Sequence, residues 1–212
     1  MKTIILFLIY IGSIFSQGMY LSRENGLSLG FIYGGNKNES KLSIAASYSL
    51  LGFVDLSYAR STFLDKENTN NFQNEYFIRA YVLKDKLPIF LSGSFGYIYN
   101  KTEAELWNNF PLTVTQEGFA YEIGLHILSD IKDKINPKLV ISILYRFFNP
   151  EETMRVQTAA ITDKKIIHSL LFEAAIIYYF SQIGIIIGPR INLENDFKDN
   201  FYGINFTFMF RY

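Results

Sequence analysis

From residue 26 onward the chain alternates apolar and polar positions, one segment after another, with turn residues between the segments. The alternation predicts ten strands, at 26–33, 41–49, 52–60, 75–84, 88–99, 114–127, 138–148, 165–180, 182–193 and 200–212. No stretch carries a helical stripe, and "ELWNNF" at 105–110 is too short and too rich in asparagine to read as more than a loop turn.

Each predicted strand has one bulky face and one small or charged face. On the sixth, Phe119, Tyr121, Ile123, Leu125 and Ile127 oppose Gln116, Gly118, Ala120, Glu122, Gly124 and His126. On the seventh, Leu139, Ile141, Ile143, Tyr145 and Phe147 oppose Lys138, Ser142 and Arg146. The connections alternate as well. Long polar ones such as "STFLDKENTNNFQN" and "NPEETMRVQTAAITDK" follow odd-numbered strands, and tight ones such as "SQ" at 181–182 follow most even-numbered ones. A meander trimmed at one end and elaborated at the other is the layout of a membrane barrel.

Two architectures fit strands of period two. A soluble barrel turns its bulky face inward, and a membrane barrel turns it to lipid. Ten strands with four to six large residues each would overfill a small barrel, whose interior is just wide enough for side chains. Aromatic residues also gather towards the ends of the bulky faces, among them Tyr33, Tyr48, Tyr58, Tyr76, Tyr99, Tyr145, Tyr178, Phe180, Tyr202 and Tyr212, as the girdles of a spanning barrel would. The expected fold is therefore all-β: a single antiparallel up-and-down transmembrane β-barrel of eight to ten strands, ten favoured. Eight would remain if 41–49 and 52–60 formed a hairpin outside the barrel.

The N-terminus, "MKTIILFLIYIGSIFSQG", places one lysine before an apolar run that breaks at Gly12 and Ser13. That is the plan of a cleaved secretory signal peptide over 1–16, and it leaves 17–212 as the barrel domain. Lys and Arg number 20 against 20 Asp and Glu, which gives no basic footprint for nucleic acid. There is no cysteine, so disulfides, thiolate metal sites and thiol nucleophiles are excluded.

Parity assigns Asp55, Arg79, Glu122, Arg146, Glu173, Arg190, Arg211 and His126 to the lumen. Counting up from the short turns sets Arg146, Glu173 and Arg190 at similar heights. An Arg–Glu–Arg triad and an Asp55–Arg79 pair are therefore expected to plug the lumen, because a buried charge needs a partner. A selectivity lining for a narrow pore is the alternative. His126 falls at the short-turn end of the lumen, and His168 falls on the outward face near the long-loop rim. His126 is separated from Glu122 by one intervening residue of the same face, in a narrow space, and His168 has no serine or carboxylate clearly beside it, so no catalytic group is expected. Two histidines alone do not make a metal site, and no cofactor motif is present. Trp107, with Phe110 and Pro111, marks a long loop where an external ligand or partner could make contact.

The signal-like "FSQG", the run of amphipathic strands and the terminal "FTFMFRY" together resemble the small outer-membrane β-barrel proteins of Gram-negative bacteria, the broad porin-family group. The resemblance covers essentially the whole mature chain and is one of architecture. It implies the outer membrane as location, with its lipid, periplasmic chaperones and the barrel-assembly machinery as partners. It also implies that Phe206, Phe208, Phe210 and Tyr212 form the recognition element at the end of the last strand. The function expected is structural, a narrow channel, or adhesion and assembly. The alternatives are a lipid-modifying enzyme or protease on the same scaffold, and a secreted soluble barrel holding a small apolar ligand.

Overall fold

The computed structural model describes residues 25–36, 39–65, 70–82, 88–106, 110–129, 137–157, 159–194 and 199–212. The expected signal peptide and Trp107 lie outside the described residues. The elements are β1 (Gly26–Gly35), β2 (Glu39–Leu50), β3 (Val54–Asp65), β4 (Asn70–Val82), β5 (Ile89–Leu106), β6 (Phe110–Leu128), β7 (Lys138–Val156), β8 (Ala159–Lys164), β9 (Ile167–Phe180), β10 (Ile183–Glu194) and β11 (Asp199–Arg211). Every strand pairs antiparallel with its neighbours, and β1 pairs with β11, so the sheet closes.

The closed ring has ten strands, because β8 is the upper continuation of β9. Phe148 faces Ile167 across β7 and β9, and three residues further up Glu151 faces Lys164 in the same register. The gap falls opposite Pro150. The Lys165 N–H donates to the Pro150 carbonyl at 3.3 Å, but proline has no N–H to return the bond. The strand expected at 165–180 thus starts earlier, at 159, with a break of two residues. We expect Pro150→Thr to complete the pair: amide exchange at Lys164–Ile167 should slow, with stability rising by about 0.5–1.5 kcal/mol. Unchanged exchange there would show that something other than the missing donor opens the ladder.

Following the register from Gly26 through Ser49, Asp55, Arg79, Ser94, Glu122, Arg146, Ser169, Glu194 and Asp199 returns to the line of β1 level with position 38. The shear is therefore 38 minus 26, or 12. Ten strands with that shear tilt about 40° and enclose a backbone cylinder roughly 20 Å across.

The bulky faces point outward. Ile78, Ile123, Ile141, Ile176 and Ile187 are exposed although apolar, and together with their neighbours they form a band about 20–25 Å tall. An upper girdle of exposed tyrosines, Tyr33, Tyr76, Tyr121, Tyr145 and Tyr202, closes this band. Tyrosine hydroxyls in the girdle and beside it reach a polar group one step higher: Tyr58 donates to Asn74 at 3.0 Å, Tyr97 to Glu117 at 2.7 Å, and Tyr145 lies 2.6 Å from His168. Amphipathic rings with a wet tip settle at that level of a bilayer.

The long connections hold more ladder than expected. β5, β6, β7 and β8 run on past the girdle as a paired wall that rises roughly 20 Å above the β10–β11 side. In this wall the faces exchange character. Leu112, Val114, Met154, Val156 and Ile161 continue the inward parity, while Lys101, Thr113, Glu151, Arg155 and Lys164 turn outward. On the outer side the Lys101 ammonium and then the Asn70 amide bond to Glu103 and hold its carboxyl below the usual range. With water on both sides, alternation no longer marks a strand, and all of these residues but Val114 read as loop in the sequence.

Candidate functional site

The lumen has three levels. The lowest, beside the short turns, is packed with Tyr81, Phe90, Leu128, Val140, Ile177, Tyr179, Ile186 and Met209. These eight aliphatic and aromatic bulks come from β4, β5, β6, β7, β9, β10 and β11, where parity turns large residues inward, one from each strand and two, Ile177 and Tyr179, from β9. His126 lies in this plug, stacked on Phe90 at 4.9 Å and edge-on to Tyr81 at 5.8 Å. Its Nε2 is 2.8 Å from Ser92 Oγ, and its Nδ1 is 2.9 Å from Ser142 Oγ. Lys138 and Arg211 both approach the Tyr179 ring, at 5.5 and 4.1 Å, and Arg211 also donates to the Ser181 carbonyl at 2.7 Å. Phe90 and Lys138 are 1 % exposed, and His126, Ile177, Ile186 and Met209 are 0 % exposed.

The middle level is a chain of charges. Arg146 makes a bidentate bond to Glu75, Nη1 to Oε1 at 3.2 Å and Nη2 to Oε2 at 2.9 Å, and its Nε donates to Glu122 at 2.7 Å. Glu122 also receives Arg79, whose Nε donates to Ser94 Oγ at 2.8 Å. Asp55 accepts the Tyr81 hydroxyl at 2.8 Å. All of these side chains lie on inward parity, so the strand period itself assembles them. Fixed donors and carboxylates in alternation suit a rigid brace.

The connectivity differs from the expected one. Arg146, Glu173 and Arg190 do not form one triad: Arg146 binds Glu75 and Glu122, while Glu173 accepts Asn205 Nδ2 at 2.9 Å and faces Arg190 in register. Asp55 and Arg79 are register partners as expected, and Asp55 also accepts the Tyr81 hydroxyl. Glu75, Tyr81, Ser94 and Asn205 are members that the sequence reading missed. Glu75 and Tyr81 share parity with Arg79, and Asn205 shares parity with Thr207, so the signal was present. Among the described residues no group of three metal-ligating side chains comes together.

His168, on the outer face, meets Tyr145 and Phe147, with ring centroids 5.9 and 5.4 Å away. On β11, Phe206, Phe208 and Phe210 point outward, as does Tyr212 just past its end, while Thr207 and Met209 are buried in the lumen.

The upper level opens into a vestibule of about 410 Å³. Amides line it (Asn36, Gln73, Asn100, Gln116, Asn192), with Phe63, Phe148 and Phe201 as ring walls and Lys41, Arg146, Arg190, Glu39 and Glu194 as charges. Its floor is the Arg146–Glu75 brace.

An even number of tilted antiparallel strands, an apolar outer band closed above by an aromatic girdle and an interior with charged and polar levels define an outer-membrane-type β-barrel. The sequence matches no protein-family model and no curated protein. Among solved structures it is similar to the translocator domain of the autotransporter NalP from Neisseria meningitidis, at 9 % identity and a TM-score of 0.46, over 92 % of this chain and 90 % of that one. It is also similar to the Acinetobacter baumannii outer membrane protein Omp33, at 12 % identity and a TM-score of 0.29, over 91 % and 99 %. These likenesses concern the barrel alone, and no residue role is carried over from them.

Proposed function

We propose that the protein is a non-enzymatic, non-conducting barrel of the outer membrane that acts through its outward-facing vestibule and wall, as a surface adhesion or recognition element. The observation that carries this reading is the burial of the lower lumen, where His126, Ile177, Ile186 and Met209 are 0 % exposed. In a water-filled pore those side chains would be wet. The Arg146–Glu122–Arg79 brace above them adds a second barrier, fixed by strand register.

The same burial argues against catalysis. Ser92 and His126 have the spacing of a nucleophile and its base, but a ring stack and an aliphatic layer enclose them and leave no room for a substrate. His168 has a tyrosine as its bonded neighbour. Contact with lipid, periplasmic chaperones and the assembly machinery belongs to this reading, on the strength of the outer band and the aromatic last strand.

Planar-bilayer recording of the purified protein tests it. Wild type should give no ion-selective steps, whereas Phe90→Ala combined with Met209→Ala, which hollows the plug, should give them. A large, selective wild-type conductance would sink the closed-barrel reading.

A further inference from the structure

We infer that the vestibule is a binding site for a neutral polyhydroxylated ligand, a sugar unit of a surface glycan. The inference deepens the recognition reading above and rests on it for the pocket's blind floor. Its foundation is a row of amides held at one level by register: Gln73 faces Asn100, and Asn100 faces Gln116. Each amide offers donors and acceptors at once, as each sugar hydroxyl does. Across the opening Asn192 adds a fourth amide, while Phe63 and Phe201, 6.3 Å apart and edge to face, supply apolar ring surface for the C–H face of a pyranose.

Two observations separate this ligand from a charged one. The lining charges are engaged within the protein: Arg146 with Glu75 and Glu122, Lys41 Nζ with Gln73 at 3.1 Å, and Glu194 with Asn192 at 2.6 Å. A charged ligand would have to break those bonds, whereas a hydroxyl can add to the spare valences of the amides. Second, Asn100 donates to Gln116 at 3.2 Å, but its Oδ1 is a buried acceptor with no hydrogen-bond partner. Native structures seldom leave such an atom unsatisfied. It belongs to the central member of the row, where a small rotation of the amide would meet an incoming hydroxyl. The volume of about 410 Å³ suits one or two sugar rings and falls within the usual range for small-ligand pockets.

The test is a glycan array of hexoses, N-acetylhexosamines, deoxyhexoses and uronic acids, free and as disaccharides, probed with the full-length detergent-solubilised protein. Hits are then followed by calorimetry. We expect at least one neutral sugar to bind, with Asn100→Leu and Gln116→Leu each weakening it at least tenfold and Thr113→Val on the outer wall leaving it unchanged. Retention of the heat-modifiable folded band shows that each variant still forms a barrel. Binding confined to charged sugars, no binding across the array, or binding indifferent to Asn100→Leu would overturn the inference. Bilayer recording separates the two proposals. A silent barrel that binds no sugar removes only this inference, whereas a conducting barrel whose current a sugar blocks removes the closed-barrel reading and keeps the site.

Discussion

Replacing Glu122 by alanine should cost the barrel about 3–5 kcal/mol, the range for breaking a buried ion pair by removing one partner. Glu122 is 5 % exposed and lies between two guanidinium groups. Its loss leaves Arg146 with Glu75 but takes from Arg79 its partner carboxylate, and Arg79 is itself only 8 % exposed. The midpoint of denaturant unfolding in detergent should fall accordingly, and adding Arg79→Met should restore much of the loss by removing the stranded charge. If the single variant unfolds at the wild-type midpoint, water already solvates the brace and the middle of the lumen is wet.

The second large effect belongs to the seam. Deleting Phe210–Tyr212 should abolish assembly, reducing the folded, heat-modifiable band by at least about tenfold. Phe210 is paired on both sides, to Leu27 on β1 and to Ile183 on β10. Beyond it the backbones of Asn25 and Tyr212 exchange bonds in both directions, at 3.2 and 3.0 Å, and Arg211 N–H donates to the Gln182 carbonyl at 2.8 Å. Truncation would leave unpaired edges facing hydrocarbon, where each unsatisfied backbone group costs several kcal/mol. Phe210→Ala with Tyr212→Ala keeps the backbone pairs and removes the rings. Failure of that variant too would assign the defect to aromatic recognition, and its success would assign it to lost pairing. Normal assembly of the truncated chain would refute both.

The ten barrel strands were legible because lipid on one side and a packed lumen on the other impose a strict period of two on residues such as Phe119 to Ile127. The wall above the girdle was less so. Leu112, Thr113, Arg155 and Val156 are as regularly paired as the residues below them, but both faces of the wall meet water and the contrast fades. The charge pairing was legible only in part: Asp55 faces Arg79 and Glu173 faces Arg190 in register as expected, but the partners of Arg146 were not. Counting up from the turns puts Arg146 level with Glu173 and Arg190, but a shear of 12 displaces each strand relative to the last. Arg146 therefore meets Glu122 on its neighbour and Glu75 across the lumen, 71 residues away in sequence. Parity identifies which side chains enter a barrel, and the shear decides which of them meet.

The exchange of faces above the tyrosine girdle also makes the barrel its own depth gauge. Raising it by two residues would lift Ile78 and Ile123, which lie just below Tyr76 and Tyr121, towards water, while lowering it would draw Asn74, Glu117 and His168 into hydrocarbon. Both displacements are opposed, so the molecule is held along the membrane normal to within about one step of the ladder, ~3 Å. The tip of the β7–β8 hairpin is therefore carried at a set distance from the lipid surface, and whatever it meets is met at that height.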